Sequence, residues 1–334
     1  MAKQGVLTLS ISKAGSYTNC PNFCMLHYVM GYERKTDHPR LMGSTVHQFV
    51  HTMHTSAKNP LYYSTLKKAQ GAWWWKWKTA LEKNEPIMRE HSKKKDDEYG
   101  VSGLCCITNY WNSNIDKPRP IEVEKRFKVR MFPKVWFVGI FDQVRSISVE
   151  SIANIRPDLI VKGVLREGYD PVVLVDLKTG KKSYDPRHFR PDISDDELAA
   201  YQFSLHENMQ ITAYYWLYYQ VYGKLPVAFY WYHLRSGKAF MTYRNKSDFR
   251  TFLDMMRYVA DGFMNELYPL RVGDHCTYCD YNKECAELRA DRPLMFSEPS
   301  DGIDSGGRMN IWPQEIPIGA TQLKLKFPAP RKGK

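Results

Sequence analysis

The sequence predicts an α/β protein in which helices flank a mixed β-sheet within one domain. Two stretches between residues 121 and 146 alternate apolar and polar side chains, which is the period of a β-strand. The stretch from residue 195 to 222 is predicted to be helical and ends at Gly223, a residue type that often terminates helices. Strands and helices that interleave in this way favour a layered α/β core.

The chain carries a large excess of positive charge. Its 334 residues include 48 Lys and Arg against 36 Asp and Glu, a net charge of +12. This balance favours a polyanionic partner, with nucleic acid first. The sequence has no apolar run of about 18 residues that would predict a membrane-spanning helix. Residues 1–15 lack the apolar core of a signal peptide, so we expect an intracellular, cytoplasmic protein.

The first half of the chain is predicted to be mainly helical. A short helical stretch precedes Lys35, and a helical pattern runs from Gly43 to about His91. Residues 91–98 predict a charged, solvated break, followed by a loop-rich stretch to about Pro120.

The second half predicts the sheet. After the two alternating strands, VESIANI predicts a short helical connection, and the segment that follows predicts a hairpin closed through Gly168, Asp170 and Pro171. One long helix is expected to begin at Ser194 or Asp195. The stretches VAFYWYHL and KAFMTYR predict two further strands, and a final helix follows them.

A buried strand, VVLVDLKTG, ends in two charges. Asp176 and Lys178 are two residues apart and therefore share one face of the strand. Because burying an unpaired charge is costly, such a pair suggests a chemical role. The carboxylate can hold a divalent cation, and the lysine can stabilise charge on an attacked phosphate or on the attacking water. A surface ion pair on an edge strand would give the same pattern.

Three further features accompany this pair. Gly139–Asp142 places a second carboxylate at the end of a neighbouring strand, and Gly43–His47 offers an imidazole on a helix. Gln210 and Tyr214 are four residues apart on one helix face. Two carboxylates and an imidazole suit Mg²⁺ or Mn²⁺, with water in the remaining positions.

Together these motifs resemble the RecB-type branch of the PD-(D/E)xK nucleases. The family order of GxxxH, ExxF with GxxD, DxKTG and QxxxY occurs here at Gly43–His47, Glu124–Phe127 with Gly139–Asp142, Asp176–Gly180 and Gln210–Tyr214. The resemblance covers most of the chain. It implies a restriction-endonuclease-like mixed sheet core flanked by helices, with a helical insertion, that hydrolyses phosphodiester bonds in DNA.

The resemblance also assigns roles to the site residues. The implied ligands of Mg²⁺ or Mn²⁺ are His47, Asp142, Asp176 and the main-chain carbonyl of Leu177. Lys178 would be the catalytic lysine. Gln210 and Tyr214 would position that lysine and the DNA backbone.

The carboxylate beside Asp176 has two candidates. Asp142 belongs to a strand pair that begins at Glu124 and matches the family as a unit. Asp158 follows a proline, spells the P-D of the superfamily name and is closer in sequence to Asp176. We expect Asp142 and keep Asp158 as the alternative; Asp158 otherwise has a solvent-facing place at the start of a strand.

Seven cysteines, an odd count, favour metal ligation or buried thiols over a disulfide framework. Cys276, Cys279 and Cys285 form a Cx2Cx5C cluster, whereas Cys20 and Cys24 lie near the start of the chain. Four thiolates suit Zn²⁺ or a [4Fe–4S] cluster, and spacing does not separate the two. Resemblance to the iron–sulfur RecB-type enzymes, such as the CRISPR-adaptation nucleases, implies [4Fe–4S], with Cys20 as the fourth ligand and Cys24 as the alternative. Such a cluster would act as a clamp that joins the N- and C-terminal segments.

The expected organisation is one nuclease domain followed by a basic, Pro- and Gly-rich tail. The domain covers residues 1–290, divided into an N-terminal cluster segment at 1–43, a helical region at 44–118, a catalytic core at 119–270, a C-terminal cluster segment at 271–290, and the tail at 291–334.

Aromatic and basic runs suggest nucleic-acid contacts. The run Trp73–Trp77 covers every face of a helix, so at least one indole must be exposed or meet a partner, and base stacking is one use for it. Tyr215–Tyr219 is expected to be helix core, and Cys105 with Cys106 to be buried packing. Lys93–Lys95 and the tail are expected to make general phosphate contacts.

The predicted function is therefore a metal-dependent DNA nuclease, an exonuclease on single-stranded DNA or DNA ends in replication, recombination or repair. A helicase or recombinase is a candidate partner, and a phage or mobile element is a candidate source. Two alternatives remain: a catalytically inactive nuclease-fold protein that binds or scaffolds DNA, and a zinc-stabilised nucleic-acid-binding module.

Overall fold

The computed structural model describes residues 6–55, 65–85, 88, 91–181, 183–185, 187 and 192–290. Its helices are α1 (Ile11–Asn19), α2 (Pro21–Cys24), α3 (His38–Thr55), α4 (Leu66–Asn84), α5 (Lys93–Asn114), α6 (Val149–Ile155), α7 (Asp195–His206), α8 (Met209–Tyr222), α9 (Phe249–Met264) and α10 (Asn282–Ala290). Its strands are β1 (Leu7–Leu9), β2 (Glu122–Phe132), β3 (Val135–Ser146), β4 (Ile160–Val161), β5 (Val164–Leu165), β6 (Tyr169–Lys178), β7 (Leu225–His233) and β8 (Lys238–Thr242). The tail predicted at 291–334 lies outside these residues.

A mixed sheet forms the centre of the described structure. Strand β3 pairs with antiparallel β2 on one edge, and with parallel β1 and antiparallel β6 on the other. Strand β6 then pairs with parallel β7, which pairs with antiparallel β8. The parallel pair β6–β7 is connected through α7 and α8, since parallel neighbours need a long crossover. The predicted mixed sheet flanked by helices is confirmed.

Alternating residues of β6 contribute to two apolar layers. Leu174 packs in the core that contains α8 and α9, whereas Leu177 packs with α3, α4 and α5. Because successive strand residues point to opposite faces, helices cover both faces of this strand. The end of β6 therefore lies between the two helical layers, where a buried polar site can form. In the described part of the chain, no helix is long and apolar enough to cross a bilayer.

The prediction of a break at residues 91–98 followed by loops was wrong, because α5 occupies most of this stretch. The Ser92 hydroxyl caps the helix by accepting a hydrogen bond from Lys95 N. Gly100 and Gly103 lie in this helix and permit close packing against α4. A Cβ at Gly103 would lie 2.0 Å from a ring carbon of Trp73. Helix α3 also crosses the expected segment boundary between residues 43 and 44.

The predicted hairpin through Gly168, Asp170 and Pro171 was also wrong. The turn lies at Lys162 and Gly163, which have φ values of 51° and 80° and connect β4 to β5. Two consecutive residues with positive φ match the type I′ turn that suits a short hairpin. Strand β6 begins just after Gly168, and Asp170 and Pro171 lie within it.

The expected long helix is two helices. Ser194 begins α7, as one of the two candidate caps, and forms a reciprocal capping pair with Glu197. Asn208 interrupts the helix and caps α8, its side chain accepting from Gln210 N. Gly223 ends α8 with a φ of 73°, as predicted.

Candidate active site

Three neighbouring strands bring three carboxylates side by side. Gln143 on β3 pairs with Val175 on β6, so the next step of this antiparallel register brings Asp142 opposite Asp176. On the other edge of β3, the register with β2 places Glu124 opposite Asp142 in the same way. Residues from distant parts of the sequence thus form one row across the sheet.

Glu124 occupies an unusual backbone conformation. Its φ is 50°, a region that residues with a Cβ rarely adopt and that costs about 1–3 kcal/mol. Its carboxylate lies 3.5 Å from His47 Nδ1. Strain of this kind persists only where surrounding structure enforces it, which is typical of functional positions.

Helix α3 delivers His47 to the carboxylates. A Cβ at Gly43 would lie 2.9 Å from Thr179 Oγ1, so glycine allows the helix to approach the segment after β6. One helical turn later, His47 Nδ1 lies 3.6 Å from Asp142 Oδ2. Ligand atoms of His47, Glu124 and Asp142 all lie within 4.8 Å of one another, which is close enough for a shared metal ion.

Both central carboxylates are buried. Asp142 is 9% exposed and Asp176 is 2% exposed. Asp142 Oδ2 accepts a hydrogen bond of 2.8 Å from Leu177 N–H, which connects β3 to β6 beyond their last paired residues. Asp176 Oδ2 accepts no hydrogen bond within the described structure, although Lys178 Nζ lies 2.7 Å away. A buried carboxylate oxygen whose one close polar partner in the described structure is an ammonium group, beside a second carboxylate and an imidazole, fits a divalent cation.

The ammonium group of Lys178 is held from three sides. It contacts Asp176, lies 3.4 Å from Gln210 Oε1 and lies 4.5 Å from the centre of the Trp231 ring. Gln210 Nε2 donates to Asp176 Oδ1 at 3.1 Å and to the Tyr214 hydroxyl at 3.0 Å. Gln210 therefore contacts both the expected lysine and the expected carboxylate, and Tyr214 contacts Gln210.

Close packing of α8 on the sheet brings Gln210 and Tyr214 to the site. A Cβ at Gly139 of β3 would lie 2.5 Å from Leu217 Cδ2, and Leu217 is fully buried. Only glycine leaves this space, three residues before Asp142. The glycines of GxxxH and GxxD thus share one physical role, which is to let a helix approach the site.

The site concentrates negative charge in a buried volume. Burial lowers the pKa of His47, but Asp142 and Glu124 outweigh this effect and raise it to about 9. Burial raises the pKa of Asp142, and the neighbouring Asp176 raises it further against the opposing effect of His47. Burial also raises the pKa of Tyr214 well above its usual value. Protons bind tightly here, and a divalent cation would compete with them for the same oxygens.

The structure places Asp158 in a different setting. Its side chain is 60% exposed and lies in a short helical turn before β4. Both carboxylate oxygens accept from the Arg156 guanidinium, at 2.8 and 2.7 Å, and these hydrogen bonds lower the pKa of Asp158. Of the two candidates, Asp142 lies in the carboxylate row.

The N- and C-terminal cysteines line a cavity that is separate from the carboxylate row. This cavity of about 110 Å³ is lined by Cys20 with Cys276, Cys279 and Cys285. Two sulfurs accept N–H hydrogen bonds, Cys279 from Tyr281 N at 3.5 Å and Cys285 from the Asn22 side chain at 3.4 Å.

The remaining cysteines lie elsewhere. Cys24 is not part of the cavity lining; it is buried, and burial raises its pKa to about 12. Cys106 is buried as predicted, whereas Cys105 is exposed.

Comparison with protein families decides the superfamily. The family model described as "PD-(D/E)XK nuclease superfamily" matches residues 8–286. The chain belongs to this superfamily. The match spans both the carboxylate row and the cysteine cavity. Among curated proteins, no relative matches the chain.

Sequence analysis assigned no role to two residues near Lys178 and the carboxylates. Glu124 stood within the ExxF motif, and that motif was the signal for its place in the row. Trp231 lies beside the ammonium group of Lys178 because β7 pairs with β6 and places Trp231 opposite Asp176. No local pattern reveals that pairing, since it joins residues 55 positions apart in the sequence.

Proposed function

We propose that this PD-(D/E)XK superfamily member is a metal-dependent DNA nuclease that hydrolyses phosphodiester bonds. The observation that carries the proposal is the buried pair Asp142 and Asp176 with Lys178 beside it. Two buried carboxylates this close repel each other, and retaining them is costly unless a cation binds between them. A lysine at the same point supplies the positive charge that phosphoryl transfer requires.

The donor set supports Mg²⁺ or Mn²⁺ as the cofactor. We propose His47, Asp142, Asp176 and the Leu177 carbonyl as ligands and add Glu124 to them. Carboxylate and carbonyl oxygens with one imidazole suit hard to borderline divalent cations. When bound, the cation lowers the pKa of a water molecule and neutralises phosphate charge.

Each remaining side chain of the site would then have a separate role in catalysis or positioning. Lys178 would stabilise charge that develops on the attacked phosphate or on the attacking water. Gln210 would hold Lys178 and Asp176 in register through its two hydrogen bonds. Tyr214 orients the Gln210 amide, and Trp231 restricts the lysine on its remaining side. Gln210, Tyr214 and Trp231 would act as positioning residues.

We further propose that the substrate is single-stranded DNA or a DNA end, that cleavage is exonucleolytic, and that the role lies in replication, recombination or repair. These points rest on the RecB-type resemblance and on the net charge of +12. A helicase or recombinase partner, an intracellular location and a phage or mobile-element source rest on the same resemblance and compact architecture.

We also propose that the four cavity cysteines bind a [4Fe–4S] cluster that joins the chain ends. A tetrahedral zinc site has Zn–S distances of about 2.3 Å, so its four sulfurs lie about 3.8 Å apart and leave no void between them. A cavity of about 110 Å³ favours a larger group. The two N–H···S hydrogen bonds are of the kind that tunes iron–sulfur clusters. Iron and sulfide analysis of anaerobically purified protein separates this proposal from Zn²⁺.

A cleavage assay on labelled single- and double-stranded DNA with Mg²⁺ or Mn²⁺ tests the nuclease proposal. Asp176→Ala and Lys178→Ala should each lower the rate by at least about 10²-fold, the usual loss for a group that stabilises the transition state. Asp158→Ala is the matched control and should retain wild-type activity. A wild type that binds DNA but cleaves none with either metal would favour the inactive DNA-binding or scaffolding alternative.

A further inference from the structure

A groove runs between α3 and α4, separate from the carboxylate row and from the cysteine cavity. Its volume is about 600 Å³. On the α3 side it is lined by Ser44, Gln48 and Thr52, which are four residues apart and form one stripe. Eight residues of helix rise about 12 Å. The polar stripe can therefore contact about 12 Å of a bound polymer.

The α4 side of the groove supplies an indole and two ammonium groups. Trp75 is 70% exposed, although Trp73 and Trp77 of the same run are fully buried or nearly so. Lys76 and Lys83 also line the groove. Among the described lining residues none is acidic, and neither lysine has a carboxylate within ion-pair distance in the described part of the chain. Partial burial lowers the pKa of Lys76, so an anionic ligand would relieve the cost of its charge.

Helix α3 contributes side chains to both the groove and the carboxylate row. His47 lies between Ser44 and Gln48 on α3, so its helix turn belongs to both features. The close approach of Gly43 to Thr179 fixes that turn against the segment after Lys178. One helix thus carries a residue of the candidate site and the polar stripe of the groove.

We infer that the groove between α3 and α4 binds single-stranded nucleic acid, with one unpaired base on the Trp75 indole and backbone phosphates at Lys76 and Lys83. An exposed indole on a basic path offers a stacking platform to an unpaired base, whereas duplex bases are already stacked on one another. The polar stripe of α3 offers hydroxyl and amide groups to the sugar–phosphate backbone. This inference rests on the proposed function and specifies its substrate as the single strand.

Binding is measured by fluorescence anisotropy of a labelled 20-nucleotide single strand and of the matching duplex, with full-length protein and without divalent metal, so that no cleavage occurs. We expect the wild type to prefer the single strand. Trp75→Ala should weaken that binding about tenfold, within the range of about 1–3 kcal/mol for one stacked base. Trp75→Phe should retain most of the affinity because a ring remains.

Lysine variants test the phosphate contacts. Lys76→Ala and Lys83→Ala should each reduce the slope of log affinity against log salt by about one. Lys78→Ala is the matched control, since Lys78 lies on α4 outside the groove lining and is paired with Glu82. Its slope should equal that of the wild type. Thermal unfolding of each variant verifies that the fold is retained.

Two results would overturn the inference: wild-type affinity in Trp75→Ala, or equal affinity of the wild type for strand and duplex. Hydrolysis of bis(p-nitrophenyl) phosphate separates this failure from a failure of the proposed function. That small diester has no base or strand to occupy the groove, so its hydrolysis by the wild type reports on the proposed active site alone. A wild type that cleaves neither DNA nor this diester would overturn the nuclease proposal, whereas the binding data would still decide the groove.

Discussion

The carboxylate row and the cysteine cavity differ in how the fold positions their ligands. Glu124, Asp142 and Asp176 stand on three paired strands, and packed helices cover the sheet around them. Cys20 directly precedes α2, Cys276 and Cys279 lie in and just after a short helical turn at residues 274–278, and Cys285 lies on α10. Three of the four cysteines are partly exposed. The first site is preorganised by the sheet, whereas the second would depend far more on the cluster that we propose its cysteines bind.

We expect the two sites to differ most in how much stability the protein loses when the group proposed for each site is removed. Cys279→Ala should abolish binding of the proposed cluster and lower the free energy of unfolding by several kcal/mol, because binding of a structural metal group contributes directly to folding. Removing divalent metal with a chelator should abolish DNA cleavage but leave the fold intact. Chemical denaturation under anaerobic conditions measures both effects. Equal losses of stability would contradict the comparison.

The second prediction concerns the packing that positions the carboxylate row. Gly139→Ala would force Leu217 and α8 away from β3, so we expect a loss of about 1–3 kcal/mol of stability. It should also lower the cleavage rate by displacing Gln210. Gly71→Ala is the matched control, because a Cβ at this helical position meets nothing within 4 Å. The control should gain up to about 1 kcal/mol. Equilibrium unfolding and the cleavage assay check both variants.

The third prediction concerns the stability that the protein loses by burying the Asp142 and Asp176 carboxylates side by side. The pKa of Asp142 is raised in the folded protein, so folding favours the protonated carboxyl group. This group therefore contributes stability below its unfolded pKa of 3.8, and the contribution is lost as the pH rises through the pKa of the folded state. At pH 8 without metal, Asp142→Asn should therefore increase the melting temperature while it abolishes cleavage. Mg²⁺ should raise the melting temperature of the wild type but not of the variant. A variant that melts below the metal-free wild type would contradict this account.

The smallest expected effect lies outside both sites. Burial lowers the pKa of His54 from 6.5 to about 4, and its Nε2 contacts the Tyr110 hydroxyl. The folded state therefore disfavours the charged imidazole, so stability is fully present above pH 6.5 and decreases as pH falls towards 4. His54→Gln should flatten the unfolding free energy between these pH values. Denaturation at pH 7 and pH 5 measures the difference, and an unchanged pH dependence would show that His54 contributes none of it.

Sequence analysis predicted the parts of the fold that have a local signal. Strand alternation located β2 and β3, the stretch VAFYWYHL was predicted to be the strand that is β7, and Gly223 marked the end of α8. Local patterns failed at α5, which was predicted to be a charged break followed by loops and which contains Gly100 and Gly103. The cause of both glycines is tertiary, since each glycine makes room for a tryptophan of α4. A single sequence does not distinguish a glycine that close packing requires from a glycine that a turn requires.

The candidate site shows the same limit. Motif order brought together His47, Asp142, Asp176 and Lys178, which the structure places in one cluster. It gave no role to Glu124, whose φ of 50° is a property of the assembled sheet. It also missed Trp231, because local sequence patterns do not show which strand pairs with β6. Contacts between distant strands determine these two positions.

The row of carboxylates has a consequence for how the protein is made. Its members lie at positions 124, 142 and 176, and the amide that orients Lys178 belongs to residue 210. Pairings this distant in sequence form late, because the loops between them must close first. A chain still emerging from the ribosome cannot assemble these groups until β6 and α8 have both been synthesised and docked. The nascent protein is therefore expected to be unable to cleave nucleic acid before that point.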